Sequence, residues 1–78
     1  MQELTERQKQ ITGFIERFIE KNSFSPTIRE ISAYFEISPK GTQDHLTAIS
    51  KKGFITWIPN ASRTITVVKQ VNEDVGGE

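Results

Sequence analysis

Ser38, Lys40, Gly41, Gln43 and Asp44 concentrate the most useful chemistry of the chain into two helical turns. They begin at a Ser38-Pro39 pair, a helix start in which Ser caps the first amides and Pro occupies a position where its missing N–H is no loss. Lysine, glutamine and aspartate at the front of a helix offer donors and acceptors suited to base edges in a major groove. The helix amino terminus adds partial positive charge toward a phosphate. Gly41 is costly in a first turn and useful where something must approach the backbone closely, although it could equally be incidental. A helix that is simply solvated would carry the same polar residues, so the elements around it must decide.

Catalytic chemistry is poorly supplied. His45 is the only histidine and there is no cysteine, so no coordination set can be completed around it, and a packing or surface role is expected. The chain has no Gly-rich phosphate loop, nucleophile elbow or triad. An enzyme is therefore not expected, and no cofactor is called for.

Formal net charge is zero, with ten cations against ten anions, which at first opposes a polyanionic partner. The distribution is uneven. Residues 27–70 hold six cations (Arg29, Lys40, Lys51, Lys52, Arg63, Lys69) and three anions (Glu30, Glu36, Asp44), a surplus of three, while the last eight residues carry three anions and no cation. Scattered, solvated charge is the plain alternative to a basic centre.

Seventy-eight residues make one small domain with little surplus stability. Zero cysteines suit a reducing compartment and a cytoplasmic location. The start lacks a signal-peptide layout, and no apolar run reaches the roughly 18–20 residues of a membrane span.

Three helices can position the polar stretch. Thr5 with Gln8 has capping-box spacing, and Ile11, Phe14, Ile15, Phe18 and Ile19 then share one helical face, predicting an amphipathic helix that ends near Asn22. Gly13 inside it costs about 1 kcal/mol relative to Ala, which close packing against a neighbour would explain. Thr27 and Glu30 form a second capping box behind Pro26, and Ile28, Ile31 and Phe35 line a helix too short to persist unpacked. After Glu36-Ile37-Ser38 the third helix should dock Thr42, Leu46 and Ile49, leaving Lys40, Gln43, Asp44 and Thr47 outward. Two helices across a turn of about three residues, with Ile37 as a wedge, have helix-turn-helix spacing, as does an ordinary αα-corner.

Gly53 stops the third helix. Phe54–Ile58 and Thr64–Val68 read as two strands joined by Pro59-Asn60-Ala61-Ser62, a hairpin whose Ile55, Trp57, Ile65 and Val67 must pack on the helices because two strands alone are marginal. Trp57 could stack on a base, but packing is the plainer role. The expected fold is mainly α with a small hairpin, a three-helix winged helix-turn-helix over residues 1–69, followed by a flexible acidic linker start at 70–78.

Read in order, Leu4-Thr5-x-Arg7-Gln8, Ser25-Pro26-Thr27-x-Arg29-Glu30-Ile31, Ser38-Pro39, His45-Leu46, Lys52-Gly53-x-Ile55 and Ala61-Ser62-Arg63 resemble the amino-terminal DNA-binding domain of the LexA repressor family, over nearly the whole chain to about Val68. The resemblance implies a repressor of DNA-damage (SOS) genes that binds palindromic double-stranded operator DNA as a homodimer and self-cleaves when an activated recombinase filament forms. It implies base reading by Ser38, Lys40, Gly41, Gln43 and Asp44. Lys52, Arg63, Asn60 and Ser62 would then lie along the backbone or minor groove, and the position of Arg29 suits a phosphate contact. Relatives differ across Lys40–Asp44, so no operator is read from it. The family's Ser-Lys self-cleaving half lies outside this sequence; of an excised domain and a natural short relative, the polar end favours the excised domain, expected to be mainly monomeric alone. The alternative is a winged helix that faces a protein partner, with zero net charge its best support.

Overall fold

The computed structural model describes residues 3–69, and the linker expected at 70–78 lies outside them. Three helices are followed by a short antiparallel pair: α1 (Glu6–Asn22), α2 (Ile28–Phe35), α3 (Pro39–Lys51), β1 (Ile55–Thr56) and β2 (Thr66–Val67). The predicted winged helix-turn-helix is the observed architecture.

Each helix begins where its cap dictates. At α1 the Thr5 hydroxyl accepts the Gln8 amide at 3.2 Å while Gln8 Oε1 accepts the Thr5 amide at 3.0 Å. At α2 Thr27 and Glu30 repeat the exchange at 3.0 and 2.9 Å. Ser38 Oγ takes the Gly41 amide at 2.9 Å, with Pro39 in the first turn of α3. These reciprocal bonds satisfy amides that the first helical turn otherwise leaves unpaired.

Both capping boxes carry a second ligand from far along the chain. Gln8 Oε1 also accepts Lys52 Nζ at 2.8 Å, and Glu30 Oε1 also accepts Arg63 Nη1 at 3.2 Å. The side chains that start α1 and α2 thus anchor the end of α3 and the tip of the hairpin.

Ile11, Ile15, Ile31, Leu46, Ile49, Ile55 and Ile65 form the core with Leu4. Each contributes roughly 1.5–3 kcal/mol of burial. Thr42 is fully buried and Ile37, Trp57 and Val67 are packed partly against the core, as their spacing required. The α2–α3 turn runs through Glu36, whose φ of 57° is left-handed, and the Ile37 amide bonds back to Ser32 O at 3.1 Å. That reversal lets α3 leave at an angle instead of extending α2. At its far end α3 stops as Gly53 adopts φ 89° and Phe54 N–H reaches Ile49 O at 3.3 Å.

Two expectations differ from the structure. The strands are two residues each, with Ile55 opposite Val67 and Thr56 opposite Thr66, not five. Beyond them Thr64 takes over from the ladder: its hydroxyl accepts the Ile58 amide at 3.0 Å and lies 3.2 Å from both the Ile58 and Ala61 carbonyls. One side chain thereby replaces backbone pairing and rounds off the tip. Gly13, expected in close packing, has room: a Cβ there would meet only Arg17 Nη1, at 3.4 Å.

Candidate nucleic-acid interface

The outward face of α3 is set by what its inward face buries. Thr42, Leu46 and Ile49 are buried, and at about 100° per residue this turns Lys40, Gln43, Asp44 and Thr47 to solvent, where all four are exposed. Lys40 Nζ and Asp44 Oδ1 are 3.8 Å apart one turn away from each other, with side chains 85% and 70% exposed. Such a pair contributes little to stability and leaves Lys40 free to exchange partners.

Ser38 and Gly41 form the front edge of this face. Ser38 Oγ is occupied as acceptor by the Gly41 amide, while its proton has no acceptor among the described residues. A Cβ on Gly41 would lie 3.2 Å from Ser38 Oγ, so glycine here keeps the cap uncrowded. That local reason stands beside any external approach to the backbone.

A cleft of about 410 Å³ lies between the start of α2 and the wing, with Gln43 contributed by α3, and Arg29, Gln43, Asn60, Ser62 and Arg63 all line it. Residues placed from three separate segments therefore share one concave surface. Thr27 and Trp57 also line it; Thr27 reads in the chain as a helix cap alone, while Trp57 reads first as a packing residue and second as a ring that a base could stack on. Asn60 supports the curvature of the tip with φ 71°, following Pro59, and the Ala61 amide closes the turn onto Ile58 O at 3.1 Å. Pro followed by a residue with positive φ is the combination a type II turn demands.

Two expected contacts are engaged inside the protein. Lys52 Nζ is bound by Glu3 O at 2.7 Å and Gln8 Oε1 at 2.8 Å, away from the cleft lining. Arg63 lines the cleft, yet its guanidinium bonds Glu30 through Nη1 at 3.2 Å and Nη2 at 3.1 Å and Ser25 O at 2.9 Å. Its Cζ also lies 4.6 Å from the Phe24 ring centroid. The Thr27 amide, and next the Arg63 guanidinium, hold the Glu30 carboxyl below its usual range, against a smaller opposing effect of burial. The structural reason is distance in sequence: these partners lie 33 to 49 residues away, beyond any local pattern.

No group of three or more His, Cys, Asp or Glu suited to a metal occurs among the described residues. A helix-turn-helix with an exposed polar third helix, bordered by a cleft under a short wing, defines a winged helix-turn-helix of the DNA-binding kind. The sequence matches the family model described as the LexA DNA binding domain over residues 1–64, and the chain belongs to that family. It is 46% identical to the LexA repressor of Thermosipho africanus across 90% of this chain and 35% of that protein. Identity to the LexA repressor of Thermotoga petrophila is 43%, across 96% of this chain and 38% of that one. The LexA repressor of Leptospira interrogans is 44% identical across 90% and 34%. The chain spans about a third of the length of these curated relatives.

Proposed function

We propose that this chain is the operator-reading domain of a transcriptional repressor of DNA-damage (SOS) genes, binding double-stranded DNA sequence-specifically with the start of α3 in the major groove of one half-site. The observation that carries this is the cleft between the start of α2 and the wing, where Arg29, Gln43 of α3, Asn60 and Ser62 meet on one concave face. In this reading Ser38, Lys40, Gly41, Gln43 and Asp44 face base edges. Arg29 contacts a phosphate, and the tip residues Asn60 and Ser62 follow the backbone into the adjacent minor groove. Arg63 borders the same path, and Lys52 stands behind the end of α3.

The longer protein to which such a domain belongs acts as a homodimer on a palindromic operator and answers to an activated recombinase filament; the domain alone is mainly monomeric and binds a half-site weakly. Two copies held about one helical turn, roughly 34 Å, apart gain affinity through effective concentration. A cytoplasmic location suits this role, and no described helix is long and apolar enough to cross a membrane.

The test is selection of bound duplexes from a random pool with a dimerised chain, followed by affinity against salt. Binding through Z phosphates gives a log-log slope near −0.9Z. The net charge of zero favours a second reading, a protein partner for α3. A recovered consensus with a steep slope supports the repressor reading; no consensus and a shallow slope would give the face to a protein.

A further inference from the structure

Arg63 is the side chain with the most varied contacts at the wing, and every one of them is internal. Its fork meets both oxygens of Glu30, Nη1 meets Ser25 O, and its guanidinium covers Phe24. Planar, bidentate pairing with a carboxylate fixes orientation as well as distance, which a lysine point charge does not. Arg63 itself takes φ 56°, a left-handed backbone, and its side chain reaches back from the tip to Ser25 and Glu30. The ladder is only two residues per strand, and a ribbon that short does not hold its own tip. The Thr64 bonds shape the tip internally without tying it to the helices.

We propose that Arg63 is a positioning residue for DNA binding: through Glu30 and Ser25 it clamps the wing tip to the start of α2, so that Asn60 and Ser62 meet the duplex in fixed register with Gln43. The proposal rests on the DNA-binding reading and changes the role of this cation within it. Glu30 is the centre of the clamp. One carboxylate starts α2, by accepting the Thr27 amide, and holds the wing, by accepting Arg63. The positive charge of Arg63 is directed at Glu30 and not at a phosphate.

Substitution at Glu30 separates the two roles. Glu30→Gln keeps the capping box, because glutamine serves at that position as Gln8 does in α1, but breaks the fork and removes a negative charge. If Arg63 were a phosphate contact, releasing it would tighten DNA binding. If it is a clamp, binding weakens. Glu30→Gln, Arg63→Gln and Arg63→Lys are compared with the unaltered chain on the duplex recovered by selection, alongside amide exchange at Ile58, Ala61 and Val67 without DNA, with circular dichroism confirming the helices. The clamp predicts that all three lose about tenfold in affinity with the salt slope unchanged, and that exchange at Ile58 and Ala61 quickens at least several-fold. Tighter binding by Glu30→Gln, retained affinity in Arg63→Lys, or a slope shallower by about 0.9 in Arg63→Gln would overturn it. So would unchanged exchange at the tip. An unaltered chain that binds no duplex would instead sink the DNA reading, and the exchange rates would still decide whether the tip is clamped.

Discussion

Ser32 Oγ and Thr42 Oγ1 lie 2.7 Å apart in the interior, joining α2 to α3 through two hydroxyls. Ser32 also reaches Ile28 O at 2.8 Å, and Thr42 reaches Ser38 O at 3.1 Å. Two hydroxyl protons serve three contacts, so one backbone carbonyl always goes without its side-chain donor while the hydroxyls bond to each other. Both carbonyls belong to first helical turns and retain backbone partners: Ser38 O, for instance, accepts the Thr42 amide at 2.9 Å. The pair therefore fixes how α3 sits on α2 without leaving a buried donor unsatisfied. Thr42→Val is expected to cost about 1 kcal/mol by urea unfolding, the net value of one hydrogen bond. Ser32→Ala with Thr42→Val should cost less than the two singles together, by about 0.5 kcal/mol or more, because the second change removes an interaction already lost. Strict additivity would mean that the 2.7 Å contact does not couple the helices.

Gly13 should be replaceable at a profit in stability. It lies inside α1, and the space beyond its Cα holds only the end of the flexible Arg17 side chain, 3.4 Å from an added Cβ. Gly13→Ala is expected to stabilise by about 1 kcal/mol through backbone entropy, read as a higher urea midpoint with an unchanged slope. Duplex affinity should not move, since the position is remote from the cleft lining. A destabilised variant would show that α1 needs the glycine for a reason other than space.

Ser25 presents the reverse case, a side chain that costs stability where it stands. Its hydroxyl oxygen is buried without a hydrogen-bond partner among the described residues, although its carbonyl receives Arg63. An unsatisfied buried hydroxyl costs about 1–3 kcal/mol. Ser25→Ala removes the hydroxyl, keeps the carbonyl, and should leave stability equal or raise it by about 1 kcal/mol. A loss of that size in thermal unfolding would mean that the hydroxyl is in fact satisfied.

Much of this was legible in the chain because caps and helical faces are local. Thr5 with Gln8, Thr27 with Glu30 and Ser38-Pro39 each place a helix start within four residues of the chemistry that produces it, and the buried face of α3 follows from a period of 3.6. The outward face of α3 was legible for the same reason, since it is what the buried face leaves. The wing was less so. Phe54–Ile58 and Thr64–Val68 have strand composition, but pairing ends where Thr64 bonds Ile58 and Ala61, a competition between side chain and ladder that composition does not reveal. The second ligands of Gln8 and Glu30 are tertiary, and the engagement of Lys52 and Arg63 could not be read from their neighbours.

The Glu30 carboxyl gives the clamp a pH dependence. Its folded pKa is lowered, chiefly by the Thr27 amide and then by Arg63. A lowered carboxylate pKa contributes stability in full above the value of the unfolded chain, about 4.3 for glutamate, and that contribution is lost as pH falls through the lower folded value. Melting temperatures of the unaltered chain and Glu30→Gln should therefore differ by a constant amount near neutral pH, and the gap should close on acidification below about pH 4. Because Glu30 and Arg63 are 40% and 38% exposed, added salt should narrow the gap at neutral pH. A gap that widens toward acid would reverse the assigned sign.

Arg29 and Gln43 line the same cleft but should fail in different ways when truncated. Gln43 leaves the exposed face of α3, and a bidentate amide on a base edge is worth roughly 1–3 kcal/mol of discrimination. Gln43→Ala should therefore lose about ten- to a hundredfold on the selected duplex, hardly change on random duplex, and keep its salt slope. Lys40→Ala should behave alike, its pairing with Asp44 at 3.8 Å being too exposed to hold it back. Arg29 stands at the second position of α2, exposed beside the cleft. Arg29→Ala should weaken both duplexes by a similar factor and make the slope shallower by about 0.9, one phosphate's share. Equal losses on both duplexes for Gln43→Ala would move it from base reading to the backbone, and an unchanged slope for Arg29→Ala would remove its phosphate.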